Sequence, residues 1–502
     1  MLLFFCNQGI LYLCRKIKAL FMKVLIGRKQ EQRELLDLYK SNRAEFVAVY
    51  GRRRVGKTFL VDETLGSHIT IRHAGLSPID DNGKRNMLKD QLKHFYHSLL
   101  SQGMKKSKCP SSWLEAFFML EMHLQSIDNG SRQVVFLDEL PWMDTPRSGF
   151  VTALEGFWNG WACHRHHFML VVCGSATSWI LDNLINNHGG LYGRVTYEMK
   201  LSPFTLKECE EFFQSRNIKL SRYDIVQSYM MLGGIPYYLS YFQKGLSLAQ
   251  NIDRLFFANN AKLREEYDRL FSAVFTNPED MKRIVELLST KHAGFTRQEI
   301  LQKTGIDDSG TATKMLKALE VSDFILKYVP FGTGKRNETY KLTDPFCLFH
   351  LHWVVGQDKM NPDFWMISQQ SQSVTSWRGV AFEEVCLAHI QQIKAALGIS
   401  GVSSTQSAWA LRGDDEKEGT QIDLLISRKD NVVNMCEMKF CGDDFKVTKA
   451  YERKLAHRQI VLSEMINRRT VIHPVLITTY GLTYNEYSGS FLHTIIMDNL
   501  FS

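Results

Sequence analysis

The stretch EFVAVYGRRRVGKTFLVDETL, residues 45–65, constrains this chain more than any other. An apolar run ends at Gly51, Gly56 closes a short basic loop, and Lys57-Thr58 open a helix-like segment, so that G-x-x-x-x-G-K-[ST] is satisfied. In a strand–loop–helix order, the loop's backbone N–H groups converge at a helix N-terminus, where anionic phosphate is favoured. Gly51, Arg52, Arg53, Arg54, Val55, Gly56, Lys57, Thr58 and Phe59 are therefore the expected phosphate-binding residues. Lys57 would neutralise the β and γ charge, and Thr58 would offer its hydroxyl to Mg²⁺. The fold class that follows is α/β, a P-loop parallel sheet.

Such a loop needs carboxylates for the metal ion and the attacking water. SRQVVFLDELPWMD supplies them as an apolar strand ending in Asp138, the expected metal ligand, and Glu139, the expected water-polarising base. Between the two motifs lie an intervening strand, HITIRH, and helices around 85–101 and 112–127. A further apolar strand, HFMLVVCGSATSW, delivers Ser175 and Thr177, where a small polar group can sense the γ-phosphate; for both, and for Thr177 above all, capping of the next helix is the alternative.

The series GR at 27–28, GRRRVGKT, FLDE, CGSATSW, LYGRVTYEMKLSPF and GGIPYYL resembles the archaeal-type ATPase family, related to the AAA+ and STAND groups, over about residues 24–260. The resemblance implies ATP and Mg²⁺ as cofactors and adds Arg28 to the nucleotide-binding set. It implies that Arg194 contacts phosphate in its own subunit or a neighbour's, which makes a homo-oligomer an expected partner state. It also places Gly234 and Pro236 near adenine. Read from the residues alone, Arg194 is a loop arginine before a strand, and Gly234 and Pro236 form a turn.

Residues 276–345 contain three helix-sized pieces and then two strand-like pieces flanking FGTGKRN, the order of a winged helix-turn-helix. In a DNA-reading version the helix around 309–320 enters the major groove and Lys335 and Arg336 touch phosphate. That helix carries only Lys314 and Lys317 as basic residues, so an architectural coupling module is the competing reading.

After a linker-like stretch, 346–376, residues 377–502 follow an α-β-β-β-α-β order. A hairpin turn at Asp430 would set Asp423 opposite Glu437, to within one residue of register, with Lys439 on the same face. Two carboxylates and a lysine can bind Mg²⁺ and stabilise phosphodiester cleavage. The arrangement resembles the PD-(D/E)xK nuclease superfamily, with Ile422-Asp423 in place of Pro-Asp, Glu437-x-Lys439 intact, and Glu383 implied as the acid on the preceding helix. DNA is the partner this implies. Such folds also persist as non-cleaving scaffolds, and a plain Glu437–Lys439 ion pair is the structural alternative.

At 502 residues and 44% apolar, the chain exceeds what one core supports, and the expected units are 23–200 (ATPase core), 201–275 (helical lid), 276–345 and 377–502. Net charge of +8 permits a nucleic-acid partner without requiring one. Ten scattered cysteines without a CxxC pair point to reduced thiols and a cytoplasmic setting, and CHRHH at 163–167 lacks the spacing of a metal site. At the N-terminus the basic RKIK follows the apolar residues, the reverse of a secretory signal. Residues 1–22 are read as an extension outside the fold, with an amphipathic anchor as the alternative. With no run of 18 apolar residues, no stable membrane association is expected.

Overall fold

The computed structural model describes residues 25–79, 85–186, 189–275, 277–334, 337–357, 361–411 and 420–502. The expected extension 1–22 and the loop residues Lys335 and Arg336 lie outside them. Five parallel strands, β1 (Glu45–Tyr50), β2 (Ile69–Ala74), β3 (Gln133–Asp138), β4 (Phe168–Gly174) and β5 (Tyr197–Lys200), lie in the order β2-β3-β4-β1-β5. β1, β3 and β4 are buried throughout, because helices cover both faces, and they consequently read as unbroken apolar runs. Val47 and Val49 face one side, packed with helices Lys29–Lys40 and Lys57–Leu65. Phe46, Ala48 and Tyr50 face the other, packed with helices Leu88–Ser101, Trp113–Ser126 and Phe150–Gly160.

Helices Leu206–Ser215, Arg222–Leu232 and Glu266–Val274 follow, then helices Pro278–Ser289, Arg297–Thr304 and Gly310–Val321. The latter three accompany a small antiparallel sheet of β6 (Phe295–Thr296), β7 (Ile325–Tyr328) and β8 (Thr339–Leu342), ordered β6-β8-β7. Helix Gly310–Val321 buries Ala312, Met315, Leu316, Ala318 and Leu319, and its Lys317 Nζ lies 2.9 Å from Asp182 Oδ1, beyond the end of β4.

Within the stretch 346–376, expected as a linker, helices Pro345–Phe349 and Phe364–Ser368 carry Phe346, Phe349 and Trp365, which are almost wholly buried, with the Trp365 and Trp377 rings edge-to-face at 5.9 Å, while most of the described residues from 355 to 373 are exposed. Aromatic side chains at this density carry too much apolar area to remain in solvent. One apolar core thereby runs continuously from Leu35 to Phe501.

The last unit is a sheet in the order β13-β12-β11-β10-β9: β9 (Ser404–Leu411), β10 (Thr420–Arg428) and β11 (Val432–Lys439) are antiparallel, and β12 (Val471–Thr478) and β13 (His493–Ile496) continue parallel to β11. β13 is absent from the expected element order, since four residues after SGSFL carry no periodicity to read. Helices Gln372–Ala388 and Lys449–Met465 pack on this sheet.

Candidate functional site

The carboxyl ends of β1, β4 and β3 lie side by side and deliver the loop 51–56, Ser175, and Asp138-Glu139 to one edge of the sheet, where ligands of open α/β sheets bind. Gly51 has φ +140°, and a Cβ there would stand 2.3 Å from the Leu201 carbonyl oxygen, so no other residue fits. Gly56 precedes helix Lys57–Leu65 with φ +92°. Lys57 is buried, and its Nζ donates to the carbonyls of Gly51 (2.9 Å) and Arg52 (3.0 Å). Burial lowers its pKa, opposed by the nearby charge of Glu139 and, less strongly, Asp138.

Thr58 Oγ1 donates to Asp138 Oδ2 at 2.9 Å, and Asp138 Oδ1 accepts from the Glu139 N–H (2.9 Å) and the buried Cys173 thiol (2.5 Å). A hydroxyl and a carboxylate at this separation form an all-oxygen pair of the kind Mg²⁺ takes. Glu139 sits at φ +45°, which turns its side chain toward β4, and its carboxylate accepts from the Ser175 N–H and hydroxyl, both at 3.0 Å. Thr177 does not cap its helix: its buried Oγ1 has no hydrogen-bond partner among the described residues.

The three loop arginines diverge. Arg52 is buried in an ion pair with Asp344. Arg54, at φ +72°, makes a two-pronged pair with Glu266 (2.5 and 2.9 Å) and stacks over Tyr237 with Cζ 4.0 Å from the ring centre. Arg53 forms no ion pair among the described residues and lies 5.9 Å from the Trp142 ring. Val55 is core, and Phe59 is half-buried on the helix after the loop. Arg28 is also spent internally, donating to the Ser202 carbonyl (2.5 Å) and lying over Phe204 at 4.9 Å. Gly234 accepts from Phe204 N–H, and a Cβ on it would meet the Phe204 carbonyl oxygen at 2.4 Å; Pro236 opens the short helix Pro236–Leu239. Close backbone packing accounts for the turn. Arg194 is exposed on its loop.

The second cluster lies at the end of the β10–β11 hairpin. Leu424 pairs with Cys436, and one step further the Met438 N–H donates to Asp423 Oδ2 at 3.3 Å. Lys439 Nζ lies 3.5 Å from Glu437 and 3.9 Å from Asp423. Glu437 is wholly buried and already engaged, accepting from the Tyr451 hydroxyl at 2.7 Å and pairing with Arg458. Among the described residues, no group of three or more His, Cys, Asp and Glu side chains is placed to hold a metal ion, and the Tyr451 and Arg458 contacts occupy both Glu437 oxygens of the expected Asp423–Glu437 pair.

Glu383 and Glu384 approach from helix Gln372–Ala388. His292 Nε2 lies 3.0 Å from Glu384 and 3.6 Å from Glu383, and Lys341 Nζ lies 2.5 Å from Glu384. Burial, and then the Asp423 charge, push the Glu383 carboxyl up to about 7. A cleft of about 420 Å³ opens here, its lining including Lys291, His292, Lys341, Glu383 and Asp423. Glu266, His292, Lys341, Tyr451 and Arg458 are partners that no local motif marks, whereas Asp344 carries a local signal as the helix cap in TDPF.

No described helix is long and apolar enough to cross a membrane. Residues 25–242 match the family described as an ATPase domain predominantly from Archaea. Over 369 residues the chain is 24% identical to the uncharacterized protein MJECL04 of Methanocaldococcus jannaschii, covering 72% of this chain and 76% of the relative. Similar solved structures include the Walker-type ATPase PABY2304 of Pyrococcus abyssi (17% identity, TM-score 0.45, 65% of this chain and 96% of that one). Another is the Aeropyrum pernix ORC2 protein in ADPNP–ADP complexes (12% identity, TM-score 0.40, 70% and 98%). The phosphate loop and the Thr58–Asp138 contact both lie within residues 25–242, the part of the chain that is similar to this ATPase domain family.

Proposed function

We propose that the protein is a Mg²⁺-dependent ATPase whose nucleotide state controls a DNA-handling C-terminal half. The observation that carries the first part is the Thr58 Oγ1–Asp138 Oδ2 contact at 2.9 Å beside a Glu139 held by Ser175. In this reading Thr58 and Asp138 hold Mg²⁺, which when bound shields the phosphate charge. Lys57 leaves the Gly51 and Arg52 carbonyls to neutralise the β and γ oxygens. Glu139 accepts the proton of the attacking water once Ser175 releases it, and Ser175 thereby keeps the base idle until γ-phosphate arrives. Arg194, exposed and free of ion pairs among the described residues, is available to a phosphate in its own or a neighbouring subunit.

The DNA-handling part rests on the three helices and small sheet between Pro278 and Leu342 and on the basic residues Lys291, His292 and Lys341 that line the cleft together with Glu383 and Asp423. Cleavage would require Asp423 and Glu437 to bind a cation, with Lys439 stabilising the displaced charge. The Arg458–Tyr451 clamp on Glu437 favours a second reading, a switch that binds DNA or a protein partner and cuts nothing. Incubating the protein with plasmid and short duplex DNA, with and without ATP and Mg²⁺ or Mn²⁺, separates these. Retention of DNA that depends on ATP and is lost in Lys57→Ala supports the coupled switch. Nicking lost in both Lys57→Ala and Lys439→Ala supports coupled cleavage, and DNA binding indifferent to ATP and to Lys57 contradicts the coupling.

A further inference from the structure

The phosphate loop is held by residues that lie outside the ATPase domain match. Arg52 and Asp344 are 292 positions apart, are 2% and 1% exposed, and form an ion pair. Burying both charges is costly, so such a pair is a poor source of stability and is better understood through what it positions. The Arg52 side chain points to Asp344 while its backbone carbonyl accepts from Lys57, so the residue that Asp344 anchors also carries the parked catalytic lysine. Asp344 is itself immobile: Oδ1 caps helix Pro345–Phe349 by accepting from Cys347 N–H at 2.7 Å. The next residue, Pro345, seats against Gly233, where a Cβ would come within 3.1 Å of its Cδ. One corner, Asp344-Pro345, therefore touches both the phosphate loop and the GGIP turn.

Arg54 repeats the arrangement on the loop's other flank. Its Nη2 donates to Glu266 Oε2 at 2.9 Å while Nε lies 2.5 Å from Oε1, a charge-assisted contact that restrains the guanidinium, and Glu266 is further held by the Tyr238 hydroxyl at 3.2 Å. Between these two anchored arginines stands Arg53, without an ion pair among the described residues.

We propose that Asp344 and Glu266 are positioning residues for ATP binding: by holding Arg52 and Arg54 they set the loop's conformation, leave Arg53 as the loop arginine free to meet phosphate, and make the nucleotide site complete only when the C-terminal half is docked. This rests on the ATPase reading above. The test is steady-state ATP turnover and ATP binding by the full chain, with melting temperature measured on every variant. Asp344→Asn and Glu266→Gln each raise KM for ATP about tenfold or more while kcat changes far less, the signature of lost ground-state positioning. Asp344→Glu recovers part of the loss. A double variant, Arg52→Met with Asp344→Leu, removes the charge pair without stranding either charge, and retains the raised KM while remaining folded, its melting temperature lowered only by the lost helix cap. Should Asp344→Asn fail to fold, Glu266→Gln and the double variant decide. Unchanged KM in folded Glu266→Gln and in the double variant overturns the inference. Absence of ATP binding by the wild-type chain overturns the ATPase reading, and this inference with it.

Discussion

Glu383 and Glu384 are neighbours on one helix that titrate in opposite directions. Glu384 receives Lys341 and His292, which hold its carboxyl below the usual range despite its burial, whereas Glu383 faces Asp423 and is pushed up to about 7. For Glu383 the folded value lies above the ordinary 4.5, so its stability contribution is full below about pH 4.5 and is lost as pH rises through about 7. Glu383→Gln is expected to melt higher than wild type at pH 8 and to converge with it near pH 4.5. A difference independent of pH across that range would contradict the assignment. The same residue scale governs the other cluster, where Lys439 shares Glu437 with Arg458 and Tyr451 and is therefore less available than an E-x-K motif alone suggests.

At the scale of elements, the loop between β1 and its helix depends on two glycines for different reasons. Gly51 lies against the Leu201 backbone with no room for a Cβ, whereas Gly56 has φ +92° and open space around it. Gly51→Ala must displace backbone of the β5 end and is expected to abolish ATP binding. Gly56→Ala pays only conformational strain of about 1–3 kcal/mol and should weaken binding while leaving a folded protein. Equal effects from the two, read by calorimetric titration with ATP, would contradict this distinction. The sequence made the sheet edge legible because the site is assembled from strand ends, and strand ends are marked locally: GRRRVGKT, FLDE and CGSAT each follow an apolar run. Partners that arrive from distant elements were not legible. Arg52 reads as a phosphate ligand in its motif, and only the fold reveals that Asp344, 292 residues on, claims its side chain. Arg28 likewise reads as a nucleotide contact, yet the Ser202 carbonyl and the Phe204 ring occupy it. The stretch 346–376 misleads by its mixed pattern, since aromatic residues spaced irregularly show no helical period until neighbouring elements bury them.

For the whole molecule, the continuous core from Leu35 to Phe501 joins the ATPase sheet to the units that follow it. In the proposed coupling, the Arg52–Asp344 and Arg54–Glu266 pairs, the Lys317–Asp182 contact and the Lys341–Glu384 pair are the contacts that would carry nucleotide state from the loop 51–56 toward the cleft beside Glu383. All of this presupposes that the sheet edge hydrolyses ATP with Glu139 as base. The most direct measurement is ATP binding and phosphate release by Glu139→Gln beside the wild type in Mg²⁺. The account predicts unchanged ATP affinity with turnover lowered about 10²- to 10⁴-fold, the loss typical of removing a general base. Wild-type turnover in Glu139→Gln would contradict it.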